Sequence, residues 1–120
     1  MGILGRLFGT KQTPTNAVPA VEQAVLIHLN GTDLDQQIYE KYDSSTLEDQ
    51  LAQAVQTSGL GEFDGNEVGP TTTTLYLYGP DAEKIFSRIE PILRGYPLCE
   101  RAEVVIRLGK PGSPERKVSL

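Results

Sequence analysis

The stretch Thr71-Thr-Thr-Thr-Leu-Tyr-Leu-Tyr-Gly-Pro-Asp-Ala82 joins the end of one structural element to the start of the next. Residues 71–78 are all β-branched, aromatic or Leu, which is typical of a β-strand. Pro80 suits the first position of a helix, and the negative charges of Asp81 and Glu83 favour a helix N-terminus. The stretch therefore predicts a strand followed directly by a helix. Strand alternation places Thr73, Leu75 and Leu77 on one face and Thr74, Tyr76 and Tyr78 on the other.

Two helices are predicted from apolar stripes at helical spacing. The segment Ser45-Thr-Leu-Glu48 has the form of a capping box, in which the Ser and Glu side chains each accept a backbone N–H of the other residue. It predicts a helix over residues 46–58, which Gly59 closes in the left-handed conformation. The second helix begins at Pro80, and Pro91 predicts a kink or a last turn of different geometry. The stripes are Leu47, Leu51, Ala54 and Val55 in the first helix, and Ile85, Phe86, Ile89, Ile92 and Leu93 in the second.

Three further segments are predicted to be strands. Residues 24–29 are branched and apolar on both faces, which is typical of a central strand. Residues 61–69 combine Gly interruptions with three acids, as a bulged edge strand or an extended loop does. Residues 102–108 alternate as a half-buried strand does. A short helix or an ordered loop is predicted over residues 32–43, and residues 116–120 either add a short edge strand or fray.

This order of elements predicts an α+β fold of the ferredoxin-like βαββαβ type. In that sandwich an antiparallel sheet carries both helices on one face, and strands one and three lie in its centre. The predicted domain spans residues 24–109. A leader and linker over residues 1–23 precede it, and a tail over residues 110–120 follows.

The composition of the 120-residue chain predicts one small cytoplasmic domain. No stretch approaches the roughly 20 apolar residues that a membrane span needs, and residues 1–9 lack the pattern of a secretory signal. The single cysteine, Cys99, excludes an internal disulfide and suits a reducing compartment. Apolar residues recur at helical spacing in residues 3–8, so the leader either frays or docks on the domain, a partner or a membrane surface.

Charge is distributed unevenly along the chain, whose net charge is −5. Residues 30–70 contain nine acids and one base, whereas residues 84–120 contain eight bases and four acids. A phosphate backbone requires a basic footprint, which an acidic chain does not offer. This distribution favours a protein partner and disfavours nucleic acid.

The face of the predicted sheet that lies away from the helices is the candidate interaction surface. Two tyrosines beside a His and an Arg are the layout on which some sheets stack single-stranded RNA, and equally that of a surface that dimerises or binds protein. The acidic balance favours the protein interpretation. A third interpretation is a face shielded by the leader or the tail. The residues predicted on this face are Leu26, His28, Tyr76, Tyr78, Val105 and Arg107.

Candidate chemistry is sparse in this sequence. Glu62, Asp64 and Glu67 form an acidic patch, and Asp33 and Asp35 extend it to the only carboxylate cluster that a hard cation would prefer. Its spacing does not match a calcium loop, so a solvated acidic turn is predicted and no metal. No phosphate-binding glycine motif and no nucleophile elbow occur, and no cofactor is predicted.

One pair of residues has the chemistry of a nucleophilic site. His28 ends the first strand and Cys99 precedes the fourth, so the two side chains would be able to approach each other. A lone Cys is more often a small buried hydrophobe, and no catalytic residue is predicted.

Several segments resemble a family of small uncharacterised bacterial proteins. They are Gly61-Glu-Phe-Asp-Gly65, Leu75-Tyr-Leu-Tyr-Gly-Pro-Asp-Ala82, Ile89-Glu-Pro-Ile-Leu93 and Val104-Val-Ile-Arg-Leu-Gly109. The resemblance covers roughly the last 60 residues. It implies a bacterial, cytosolic domain and supplies no activity and no catalytic residue.

The sequence therefore favours a non-enzymatic domain that binds a protein partner or forms a homodimer, in a regulatory or inhibitory role. Its predicted surface is the face of Tyr76, Tyr78, His28 and Arg107, or the acidic edge of the second strand. The alternative is a small enzyme or ligand-binding protein with a pocket near that face, lined by His28, Tyr76 and Glu62.

Overall fold

An open antiparallel sheet of five strands forms the frame of the computed structural model, which describes residues 22–120. The order of the strands across the sheet is β2-β3-β1-β4-β5. The central strand is thus β1, and the two edge strands are β2 and β5. The strands are β1 (Gln23–Asn30), β2 (Glu62–Val68), β3 (Thr72–Gly79), β4 (Glu103–Arg107) and β5 (Glu115–Ser119).

Within the same residues the chain forms three α-helices and one turn of 3-10 helix. The helices are α1 (Gln36–Lys41), α2 (Ser44–Thr57) and α3 (Ala82–Gly95), and the 3-10 turn is Pro97–Cys99. The predicted α+β class is confirmed, but the strand count and order differ from the predicted four-stranded, two-helix sandwich. Residues 115–119 pair with β4 instead of fraying, and residues 36–41 form a helix that the Asp35 side chain caps. None of the helices in residues 22–120 has the length and apolarity needed to cross a membrane.

The core lies between one face of the sheet and the helices α2 and α3. Alternate residues of β1, β3 and β4 point into it, as the sequence alternation predicts. Each such aliphatic side chain removes apolar area from water that is worth about 1.5–3 kcal/mol. The strand residues in this core, all at most 3% exposed, are Val25, Ile27, Leu29, Leu75, Leu77, Val104 and Ile106.

The predicted capping box of α2 does not form. The helix begins one residue before Ser45, and its cap is Asp43, whose carboxylate accepts the N–H of Thr46 at 2.7 Å. Glu48 accepts the side-chain amide of Asn66 on β2 at 3.0 Å and does not reach back to Ser45. Asp and Ser are almost equally good N-cap residues, so the residue types alone do not decide between Asp43 and Ser45. In the structure the cap is Asp43.

The start of α3 also differs from the prediction. Asp81 is the cap, since its carboxylate accepts the N–H of Lys84 at 3.1 Å, and Pro80 lies one residue before it. Pro91 lies inside the helix, which continues through it to Gly95. Pro91 lacks an N–H, so that turn of the helix lacks one backbone hydrogen bond.

The edge strand β2 is irregular, as predicted. Its pairing with β3 shifts between Phe63 and Asn66, which marks a β-bulge around Asp64 and Gly65. Gly65 has φ +104°, a conformation that few residues other than Gly adopt. A bulge and charged side chains on an edge strand discourage uncontrolled pairing with other chains.

Candidate functional site

The open face is the side of the sheet that lies away from α2 and α3, and no element within residues 22–120 packs over it. The strand register arranges its side chains in three rows. Reading each row from β3 through β1 and β4 to β5, they are Tyr78–Ala24–Arg107–Glu115, Tyr76–Leu26–Val105–Lys117 and Thr74–His28–Glu103–Ser119. The predicted surface residues thus share one face, and the structure brings them together.

Five side chains predicted on this face are all partly exposed. They are Leu26, His28, Tyr76, Tyr78 and Arg107. Val105, also predicted there, is 6% exposed, and Ala24 in the next row is fully buried between longer neighbours. The face is therefore a shallow, mixed surface in which apolar area lies between polar tips.

The two tyrosines lie side by side as a stacked pair. Their rings stack in parallel, with centroids 6.5 Å apart and planes 7° apart. Tyr76 Oη donates to Glu67 Oε1 at 2.9 Å, which ties the pair to the edge strand. This hydrogen bond raises the pKa of Tyr76, because only the neutral phenol donates and a phenolate would face the carboxylate charge. A pre-ordered aromatic pair loses little conformational entropy when it is covered.

His28 is anchored and lies away from the cysteine. Its Nδ1 is 2.9 Å from the hydroxyl of Thr74, which is only 8% exposed. Cys99 lies in the core on the helix side of the sheet, 1% exposed, where burial raises its pKa to about 12. The sheet separates the two side chains, so the nucleophilic pair considered from the sequence does not form. A thiol of this pKa stays protonated at neutral pH.

The acidic patch of Glu62, Asp64 and Glu67 lies along β2 at one border of the open face. Glu22, which lies in the predicted linker, joins the patch directly before β1. The pKa of Glu22 is raised, first by partial burial and then by the negative charges of Glu62 and Asp64. Glu22, Glu62 and Asp64 line the same cleft, which the sequence does not reveal because Glu22 and Glu62 are far apart in it.

Asp33 and Asp35 do not belong to this patch. Asp35 caps α1, accepting the N–H of Gln37 at 3.0 Å. Asp33 lines a cleft with His28 and Arg101 at the other end of the sheet. The predicted cluster of five carboxylates is wrong, because the turn after β1 and the edge strand β2 lie at different places. Among residues 22–120, no group of three or more His, Cys, Asp or Glu side chains is placed to hold a metal ion.

A cleft of about 460 Å³ lies where the acidic patch meets the first row of the open face. Its lining is Glu22, Glu62, Asp64, Tyr78, Arg107, Lys110 and Pro111. Arg107 Nε is occupied by the carbonyl of Gly109 at 2.9 Å. The predicted pocket of His28, Tyr76 and Glu62 is not a single cavity: Glu62 lines this cleft, His28 lines the one at the far end, and neither lining includes Tyr76.

The other border of the open face is formed by β5 and carries Lys117, with Lys110 in the preceding loop. Neither lysine was predicted to belong to the surface. The sequence left two alternatives for this segment, a short edge strand or a frayed end. Only the observed pairing of Lys117 with Val105 shows that Lys117 lies on the open face. The tail therefore extends the sheet at its edge and does not shield the face. Of the predicted leader and linker, residues 1–21 lie outside the described residues, and Gln23 begins β1.

No protein-family model, curated protein or solved structure was found to match this chain. The resemblance to small bacterial proteins therefore stays a prediction.

Proposed function

We propose that this chain is a non-enzymatic protein-interaction domain that binds through its open face. The observation that carries the proposal is the stacked pair of Tyr76 and Tyr78, partly exposed beside Leu26 on a sheet face that no element of residues 22–120 covers. Tyr and Arg are enriched where proteins bind each other, and charged residues are depleted at the centre of such contacts. On the open face the central row is Tyr76, Leu26 and Val105, and the charges lie around it.

The charges support a protein partner over a nucleic acid. Four carboxylates, those of Glu22, Glu62, Asp64 and Glu67, border the tyrosine side of the face. A phosphate backbone near Tyr76 and Tyr78 would be repelled by them. A protein surface with cationic side chains would instead be attracted.

An enzymatic role has less support from the geometry. Pockets for small molecules are concave and mostly apolar, with a few converging polar groups. The cleft beside Tyr78 is bordered by acidic and basic side chains in almost equal number, and His28 is at the other end of the sheet, bonded to Thr74. A non-enzymatic role therefore accounts better for the residues present.

We also propose that the fold is a ferredoxin-like sandwich extended at one edge. Without β5 the sheet order is β2-β3-β1-β4, and α2 and α3 follow β1 and β3 in the chain. The fifth strand widens the open face and moves β1 to its centre.

We further propose a cytoplasmic location, since the one cysteine is buried and needs no oxidising compartment.

Photo-crosslinking in living cells of the source tests the proposed function. The photoreactive residue p-benzoylphenylalanine replaces Tyr76 in one variant and Gln53, exposed on the helix side, in the control. We expect a covalent adduct with a protein chain at position 76 and none at position 53. An equal yield at both positions, or a crosslink from position 76 only to residues 1–21 of the same chain, would overturn the proposal.

A further inference from the structure

We propose that the partner is a second copy of this chain, packed open face against open face about a two-fold axis that runs along β1. This inference rests on the proposed function and names its partner. The strand order and the rows of side chains on the open face support it.

The strand order allows this symmetry. Because β1 is the central strand of five, a two-fold axis along it places β3 of one copy opposite β4 of the other, and β2 opposite β5. The same surface is used on both copies, so the contact closes as a dimer and does not propagate into a filament. Stacked sheets with nearly aligned strands lie about 10 Å apart, a distance that the side chains of both faces fill.

The central row of the face is self-complementary under this operation. Leu26 lies on the axis and meets Leu26 of the second copy, while Tyr76 meets Val105. In the next row Tyr78 meets Arg107 of the second copy. A guanidinium and an aromatic ring attract each other when the guanidinium packs over the face of the ring. The stacked tyrosines of each copy are thus covered by β4 of the other.

The charges are complementary as well. Asp64, in the bulge of β2 beside Tyr76, meets Lys117 on β5 of the second copy, and the symmetry makes this contact twice. Glu67 meets Ser119. Glu62 meets the like-charged Glu115 at the outer end of its row, where Lys110 lines the same cleft as Glu62.

The charges also disfavour a two-fold axis that runs across the strands. An axis across the strands would place β2 opposite β2, so that Glu62, Asp64 and Glu67 of one copy would face the same acids of the other. Like charges placed together across an interface oppose association. Of these two arrangements, the one with the axis along β1 is therefore favoured over the one with the axis across the strands.

The area of the open face indicates the size of the proposed dimer interface. Five strands about 4.8 Å apart and about five residues long give roughly 400 Å² of flat area per copy. A standard interface buries about 800 Å² of accessible surface per partner. We therefore expect a small interface and a reversible, concentration-dependent dimer.

A charge exchange tests the arrangement in the full chain by sedimentation equilibrium. Asp64→Lys and Lys117→Glu should each raise the dissociation constant about tenfold, because each creates two like-charged contacts. The double variant restores opposite charges and should return to within about threefold of the wild type. The matched controls, Asp49→Lys and Lys84→Glu, change exposed residues on α2 and α3 and should leave the constant unchanged.

Three results would overturn the inference: a wild-type chain that is monomeric up to about 1 mM, a dimer that neither single variant weakens, or a double variant weaker than both. Circular dichroism of each variant confirms that it is folded. The mass of the adduct at position 76 separates this inference from the proposed function. An adduct of two copies supports both, an adduct with a different protein overturns only the self-pairing, and no adduct overturns both.

Discussion

At the scale of single residues, the open face is organised by hydrogen bonds that the sequence does not reveal. Tyr76 forms a hydrogen bond with Glu67, and His28 forms one with Thr74. Each bond joins two neighbouring strands of the sheet. These bonds fix the tips of side chains whose ring faces remain available. The polar tips of Tyr76 and His28 are thus paired within the chain, and what these two side chains offer a partner is largely apolar.

The tyrosine–glutamate bond predicts a measurable titration. The pKa of Tyr76 is raised above its ordinary value of 10.0, chiefly by its bond to Glu67. The stabilisation is therefore fully present below pH 10 and is lost as the pH rises through the higher pKa of the folded protein. In Glu67→Gln the carboxylate charge is gone, and the pKa of Tyr76 should fall towards 10.0.

Phenolate absorbance measures this change between neutral and strongly alkaline pH. Tyr76→Phe identifies the component of the curve that belongs to Tyr76. Glu48→Gln is the matched control, because Glu48 bonds Asn66 and no tyrosine. Superimposable curves for the wild type and Glu67→Gln would contradict the assigned bond.

At the scale of elements, two glycines allow the loop after α2 to cross the end of β3. A Cβ on Gly79 would collide with the backbone carbonyl of Leu60, and one on Gly61 would collide with that of Tyr78. This crossing delivers β2 to the edge of the sheet and brings Glu62 beside Tyr78.

Gly79→Ala is therefore expected to destabilise the fold by about 1–3 kcal/mol, since backbone atoms cannot move aside as a flexible side chain does. Gly95→Ala is the control. A Cβ there meets no atom within 4 Å, and Gly95 ends a helix, so alanine should be neutral or stabilise by up to about 1 kcal/mol. Urea unfolding measures both. Equal stabilities of the two variants would show that the crossing is looser than described.

Most of the elements could be predicted because their signals are local. The alternation of β1, β3 and β4 identifies which of their side chains are buried, and the apolar stripes identify α2 and α3. The caps could not be assigned, because Asp43 and Ser45 carry equally suitable oxygens two residues apart. β5 stayed undecided because Val118 is its only apolar strand residue, so its pairing depends on β4 and not on its own composition.

The candidate site could be predicted only in part, because only some of its residues have a local signal in the sequence. Its members within β1, β3 and β4 follow from alternation. Glu22, Lys110 and Lys117 were missed, because they reach the face through strand pairing and a loop. Asp33 and Asp35 were grouped with the acidic patch of β2 from charge alone, and the path of the chain separates them from β2.

At the scale of the whole molecule, one side of the sheet builds the core and the other is the proposed surface of association. The helix side buries its aliphatic residues almost completely, whereas the open face keeps its tyrosines, Leu26 and Arg107 partly exposed. The uneven charge along the chain becomes a spatial pattern on this face, with acids along β2 and Lys117 on β5. Under the proposed two-fold axis along β1, Asp64 on β2 would meet Lys117 on β5 of the second copy.

The most direct measurement is sedimentation equilibrium of Leu26→Asp beside the wild type, with Gln53→Asp on the helix side as the control. Leu26 lies on the proposed axis, so the substitution places two carboxylates against each other at the centre of the contact. We expect a concentration-dependent dimer for the wild type and for Gln53→Asp, and a folded monomer for Leu26→Asp. A Leu26→Asp chain that dimerises as strongly as the wild type would contradict it.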